Sequence, residues 1–84
     1  MKKNQLKIGQ VISYIHRVTG KENKAAVTGL KHEASNKVRV IDLSPDWSPT
    51  PENIAEWNEA ESMPKGSFVF VPGCPIELKS VVAA

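Results

Sequence analysis

The stretch "KAAVTGLKHEASNKVRVIDL", residues 24–43, decides the fold class of this 84-residue chain. It holds two runs rich in the small and β-branched residues that suit the pleated surface of a sheet, and the polar sequence "EASN" separates them. In the second run Val38 and Val40 face away from Ile41, as the two-residue repeat of a strand requires. The stretch therefore predicts a β-hairpin.

The segment before this hairpin, "LKIGQVISYIHRVTG" at residues 6–20, predicts another strand. Gly9 interrupts its apolar pattern and indicates a bulge or bend. The polar sequence "TGKEN", residues 19–23, then forms a turn or exposed loop. Three strands in succession favour an antiparallel meander. One face of the first strand carries four apolar side chains: Leu6, Ile8, Ile12 and Tyr14.

After the hairpin, the sequence "SPDWSPTPEN", residues 44–53, contains three prolines and so cannot lie inside a sheet. It leads into a helix, because Thr50 is a good N-cap and Pro51 suits the first helical position. Pro64 ends this helix. A stripe of apolar residues at spacing three predicts the face that packs on the sheet, with Trp57 in the core: Ile54, Trp57, Ala60 and Met63.

Two further strands are predicted at the end of the chain. "GSFVFVP", residues 66–72, is apolar on both faces, which predicts a central strand, and "CPIELKSVVA", residues 74–83, predicts the last one. The fold class is therefore mainly β with one short helix inserted between strands 3 and 4, in a single domain spanning 1–84. We expect a small five-stranded antiparallel barrel or a strongly bent sheet, which is SH3-like or OB-like by analogy of architecture alone.

The composition is that of a globular chain, with 40% apolar and 24% charged residues. No apolar run approaches the length needed to span a bilayer, and the basic start of the sequence is not followed by the apolar stretch of a signal peptide. The single cysteine, Cys74, fits a reducing compartment and is expected to be a buried small apolar residue. These features predict a cytoplasmic protein without membrane contact.

No motif for catalysis, metal binding or a cofactor is found. His16 and His32 lack a second ligand at zinc-binding spacing, and the sequence "HEASN" has Asn36 where a metalloprotease requires its second histidine. No serine lies in the glycine-rich elbow of a hydrolase nucleophile. We therefore predict a protein that is not an enzyme and has no cofactor.

Charge is distributed very unevenly along the chain. Residues 1–41 carry nine basic and two acidic side chains, whereas the six charged residues of 42–62 are all acidic. A basic surface attracts phosphate, so the leading hypothesis is a small non-catalytic module that contacts nucleic acid through its first half. The candidate contacts are Arg17, Lys21, Lys24, Lys31, Lys37 and Arg39.

The acidic segment, residues 42–62, supports an alternative hypothesis. The chain has the size of many accessory or inhibitor proteins of phages and mobile elements, and it could bind a protein through this segment and Trp47, since indole is common at binding hot spots. The acidic helix could instead neutralise the basic sheet or compete with nucleic acid for it, and Trp47 could plug one end of a barrel. Oligomeric state stays open. The candidate partner contacts are Asp46, Trp47, Glu56 and Glu59.

Overall fold

A computed structural model describes residues 2–84, which form five β-strands and one α-helix. The helix lies between the third and fourth strands, as the sequence predicts. Two short 3-10 helices, Lys3–Gln5 and Leu78–Ser80, complete the secondary structure. The elements in chain order are β1 (Val11–Ile15), β2 (Glu22–Gly29), β3 (Lys37–Asp42), α1 (Pro51–Ser62), β4 (Cys74–Glu77) and β5 (Val81–Ala83).

The five strands form one antiparallel sheet in the order β4, β3, β2, β1, β5. The predicted meander of β1, β2 and β3 is confirmed, and the last strand returns to pair with the first. β4 and β5 lie at the two edges and do not pair with each other, so the predicted barrel is not formed. These edge strands have only four and three residues, which leaves little backbone with which to close the sheet.

The main core lies on one face of this sheet. Ala25 and Val27 on β2 point to it, together with residues of β1 and β3 that stand opposite them in the register. Gly9 makes the predicted bend before β1, with φ of 86°. The buried members of this cluster are Leu6, Ile12, Tyr14, Ala25, Val27, Val38, Val40 and Val81.

The helix covers the other face of β2. Ala26 and Thr28 alternate with the core residues and are fully buried, and α1 packs against this strand. Thr50 is the N-cap as predicted, since its side chain accepts a hydrogen bond from Asn53 N at 3.1 Å. Trp57 is buried as predicted, with 5% of its surface exposed. No helix within residues 2–84 is long and apolar enough to cross a bilayer.

The predicted central strand at residues 66–72 is wrong. This segment is not part of the sheet, and Phe68 and Phe70 are exposed instead of buried on both sides. It crosses from the end of α1 towards the edge strand, and near its end Pro72 O accepts a hydrogen bond of 2.8 Å from Thr28 Oγ1 on the central strand β2. The fourth strand begins just beyond it, after Gly73, whose φ of 100° turns the chain onto β3.

The predicted last strand, residues 74–83, divides into two. Its first part is β4, which pairs with β3, and its second part is β5, which pairs with β1 at the opposite edge of the sheet. The 3-10 helix Leu78–Ser80 makes the crossing, and Ser80 Oγ donates to Glu77 O at 2.6 Å. The prediction for Cys74 is also wrong, because the side chain is exposed at the start of the edge strand.

Candidate functional site

A cleft of about 670 Å³ lies between the end of β1 and the edge strand β4. Residues of β3 line it between these two strands, and the crossing that leads to β5 contributes its rim. The volume falls within the range of pockets that bind small molecules. The cleft offers apolar surface from five side chains: Ile15, Val40, Ile41, Pro75 and Ile76.

Basic side chains from three parts of the chain meet at this cleft. Arg17 comes from the β1–β2 turn and Lys37 from the start of β3, and both are predicted nucleic-acid contacts. Lys79, from the crossing after β4, joins them and was not among the predicted residues. Its 3.3 Å ion pair with Glu77 is exposed, and such pairs contribute little to stability. Lys79 therefore remains available to an anion.

A tyrosine–carboxylate pair closes one side of the cleft. Tyr14 Oη donates a hydrogen bond of 2.6 Å to Asp42 Oδ1, which joins β1 to the end of β3 across β2. Burial of the phenol, together with this hydrogen bond, raises the pKa of Tyr14 above its ordinary value. The phenol therefore keeps its proton, and with it the hydrogen bond to Asp42, to a higher pH than a free tyrosine does.

His16 has a structural role in the turn beside the cleft. Its Nδ1 accepts hydrogen bonds from Val18 N and Thr19 N, at 3.2 and 3.3 Å, and its ring centroid lies 6.5 Å from that of Tyr14. These bonds fix the turn from which Arg17 projects. No group of three metal-binding side chains is found among the described residues 2–84.

The other four predicted basic contacts lie outside the cleft. Lys21 and Lys24 are exposed in and beside the β1–β2 turn. Arg39 is engaged, since Nε donates to Glu33 Oε1 at 2.5 Å and Nη1 donates to Gly73 O at 2.8 Å. Lys31 lies near the end of α1, and its backbone N–H donates a hydrogen bond to the Glu61 side chain of that helix. The structure therefore groups only Arg17 and Lys37 of the predicted set at one cleft.

One acidic residue of the helix serves the fold. Glu61 accepts backbone hydrogen bonds from Leu30 N and Lys31 N, both at 3.1 Å, and so ties the end of α1 to the loop that follows β2. His32 Nε2 lies 3.2 Å from Ala60 O and adds to this junction. A carboxylate that binds two N–H groups in this way makes strong, charge-assisted bonds.

The predicted partner contacts lie on exposed surface. Asp46 and Trp47 belong to a tight turn in which Ser44 and Trp47 exchange two backbone hydrogen bonds of 3.2 Å. The indole is 37% exposed, so it is neither fully buried as a plug nor free of the fold. Glu56 and Glu59 are exposed on α1. Within residues 2–84 no ion pair joins α1 to a basic side chain, so the helix does not neutralise the strands by direct pairing.

The sequence did not predict two features of this surface. Lys79 belongs to the cleft because the last predicted strand breaks at a 3-10 helix, and the pattern of that strand gives no sign of the break. The second feature is the exposure of Phe68 and Phe70, because alternating Phe and Val is typical of a central strand and so predicts that both rings are buried.

Comparison with protein-family models, with curated proteins and with solved structures gives no match.

Proposed function

We propose that this chain is a small non-catalytic binding module that contacts nucleic acid through the cleft between β1 and β4. The observation that carries the proposal is the convergence of Arg17, Lys37 and Lys79 around an apolar cleft, from positions far apart in the sequence. Cations of this kind bind phosphate, and the apolar surface between them can hold a base. Lys21 and Lys24 would extend the basic surface along the neighbouring turn.

The concave shape of the site favours a single strand over a duplex. Proteins that read a duplex insert a protruding helix or ribbon into its major groove, which is about 12 Å wide. The cleft instead accepts a group that enters it, as an unpaired base can. Of its two carboxylates, Asp42 already accepts a hydrogen bond from Tyr14, and the exposed pair of Glu77 with Lys79 is weak enough for a phosphate to compete for the lysine. In this proposal the sheet resembles a small SH3-like or OB-like barrel that is not fully closed. The ligand occupies the cleft between β1 and β4 that the open sheet leaves.

The test is fluorescence anisotropy with a labelled single-stranded oligonucleotide and the matching duplex. We expect tighter binding of the single strand, with log K falling against log salt by about 0.7 for each phosphate neutralised. The variant R17E/K37E should bind at least about tenfold more weakly, because each substitution replaces a phosphate contact by a repulsion. The variant K21E/K24E, which changes the neighbouring turn outside the cleft, should weaken binding less.

The matched control is K2E/K65E, which makes the same change of charge at two exposed lysines outside the cleft. It should retain affinity within about threefold, because screening limits the reach of exposed charges to about 10 Å at 0.1 M salt. Failure to bind at low salt, a flat salt response, or an equal loss in the control would refute the proposal.

A protein-interaction or inhibitor module is the second candidate. The exposure of Asp46, Glu56 and Glu59, together with the partly exposed Trp47, favours it. A basic partner would meet acidic side chains that no lysine or arginine of residues 2–84 already pairs. The probe is a lysine-rich peptide titrated by NMR. Shifts centred on this surface that W47A abolishes would support the second candidate, and shifts spread evenly over all acidic residues would exclude it.

A further inference from the structure

The segment between α1 and β4 carries two aromatic side chains with no cover. Phe68 and Phe70 are fully or nearly fully exposed, at 106% and 87%, while the alternate residues Val69 and Val71 are half-buried. This two-residue alternation shows that the backbone is extended, with the valines directed to the body of the protein and both rings directed away from it. Adjacent exposed rings form an apolar patch, and the largest apolar patch of a monomer often has a binding role.

The backbone of the same segment also has no partner within the protein. Within residues 2–84 no hydrogen bond involves the N–H or C=O groups of residues 68–71. The flanking residues are held, since Ser67 N donates to Pro64 O at 3.0 Å and Pro72 O accepts from Thr28 Oγ1. The two rings therefore project from an extended segment whose flanking residues are held by hydrogen bonds.

We propose that this surface binds a second copy of the chain. No charged side chain occurs between residues 66 and 76, and the two charged residues that share a groove with Phe70, Glu33 and Arg39, pair with each other. The surface therefore carries no net charge that would select a charged partner or repel its own copy. The sequence Phe68–Val69–Phe70 reads the same in both directions. A two-fold axis at Val69 thus places Phe68 of each copy against Phe70 of the other, which is the self-complementarity that a symmetric dimer requires.

The two copies meet face to face, with their rings between them. Because the valines face the body of each protein, this arrangement places the two bodies on opposite sides of the aromatic layer, where they do not collide. Two phenylalanines bury at most about 300–500 Å² per copy, since complete burial of one such ring removes about 150–250 Å². This area is below the roughly 800 Å² per partner of stable complexes, so the dimer is weak and forms at high protein concentration.

Sedimentation equilibrium tests this proposal between about 10 µM and 1 mM, the range in which weak contacts associate. We expect the mass of the wild-type protein to rise from monomer towards dimer, and F68S/F70S to remain monomeric throughout. The matched control is V18S, which removes an apolar side chain that is 85% exposed in the β1–β2 turn, and it should associate like the wild type. Far-UV circular dichroism should show the same folded spectrum for all three proteins, because these side chains are exposed.

A wild-type protein that stays monomeric at the highest concentration would overturn the proposal. So would association that F68S/F70S retains, or a mass that rises beyond the dimer, since a two-fold contact is closed. An NMR dilution series of the wild type gives an independent reading that needs no variant. Its amide shifts should change with concentration at residues 67–71, and changes confined to other residues would also overturn the proposal.

Discussion

Replacing Trp57 by alanine should remove much of the stability of this fold. The side chain is 95% buried where α1 packs on β2, and it is buried outside the main core cluster. A tryptophan that buries about 200 Å² contributes about 5 kcal/mol at 25 cal/mol per Å², and substitutions of this kind cost about 3–5 kcal/mol. A domain of this length is stable by only about 4–12 kcal/mol, so W57A should be marginally folded.

The variant W47A is the matched comparison for W57A, because Trp47 is the more exposed of the two tryptophans. At 37% exposure about two-thirds of its surface is buried, and it lies in a surface turn that can relax, so W47A should cost about 2 kcal/mol or less. Urea unfolding followed by circular dichroism gives both free energies. The chain has two tryptophans, so the fluorescence of each variant reports the residue that remains.

Equal losses in the two variants would refute this reasoning, because Trp47 would then be as deeply packed as Trp57. A loss below about 1 kcal/mol in W57A would also refute it, since the helix would not depend on its buried face. If W57A does not fold at all, W57F keeps an aromatic ring in place and should lose about 1–2 kcal/mol.

Three smaller changes test other contacts. Y14F should cost about 1–2 kcal/mol through the lost bond to Asp42, and it should also flatten the alkaline limb of the stability profile. Because the folded pKa of Tyr14 is raised, the wild type keeps this stability below the ordinary pKa near 10 and loses it as pH rises through the raised value. E61Q should cost about 1–2 kcal/mol because two N–H groups lose a charged acceptor, whereas the exposed E59Q should change stability by less than about 0.5 kcal/mol. G73A should cost at least about 2 kcal/mol, since its Cβ would overlap the Val40 carbonyl group, whereas G20A, with positive φ and open space, should cost about 1 kcal/mol. Unfolding midpoints check each pair, and equal losses within a pair would contradict the stated cause.

The sequence predicts those parts of the fold that local signals determine. Thr50 and Pro51 mark the start of the helix because capping and the missing proline N–H act within one turn. The hairpin of β2 and β3 follows from apolar and β-branched runs on both sides of a polar segment, although the connection begins earlier than the sequence "EASN" and spans residues 30–36. These local interactions do not depend on residues distant in the sequence, so the elements that they predict are present in the folded protein.

Sequence reasoning fails where pairing at long range decides the structure. Phe68 and Phe70 have the pattern of a central strand, but the edge of β3 is taken by Cys74–Glu77, and an extended segment without a neighbouring strand has the same local pattern. The cleft could be predicted only in part for the same reason. Arg17 and Lys37 stand out by charge, whereas the contribution of Lys79 depends on the crossing between the two sheet edges.

The contrast between a basic first half and an acidic helix leads to the last prediction. Competition between the helix and nucleic acid would require acidic side chains at the binding surface, but α1 packs on β2 and contributes no residue to the lining of the cleft. We therefore expect E56Q/E59Q to change affinity for the single-stranded oligonucleotide by less than about twofold at 0.15 M salt, where the screening length is about 8 Å. R17E makes a charge change of the same size at the cleft and should act far more strongly. If E56Q/E59Q instead strengthened binding about tenfold, its carboxylates would have to lie beside the bound strand, and the helix would be a built-in competitor for the basic surface.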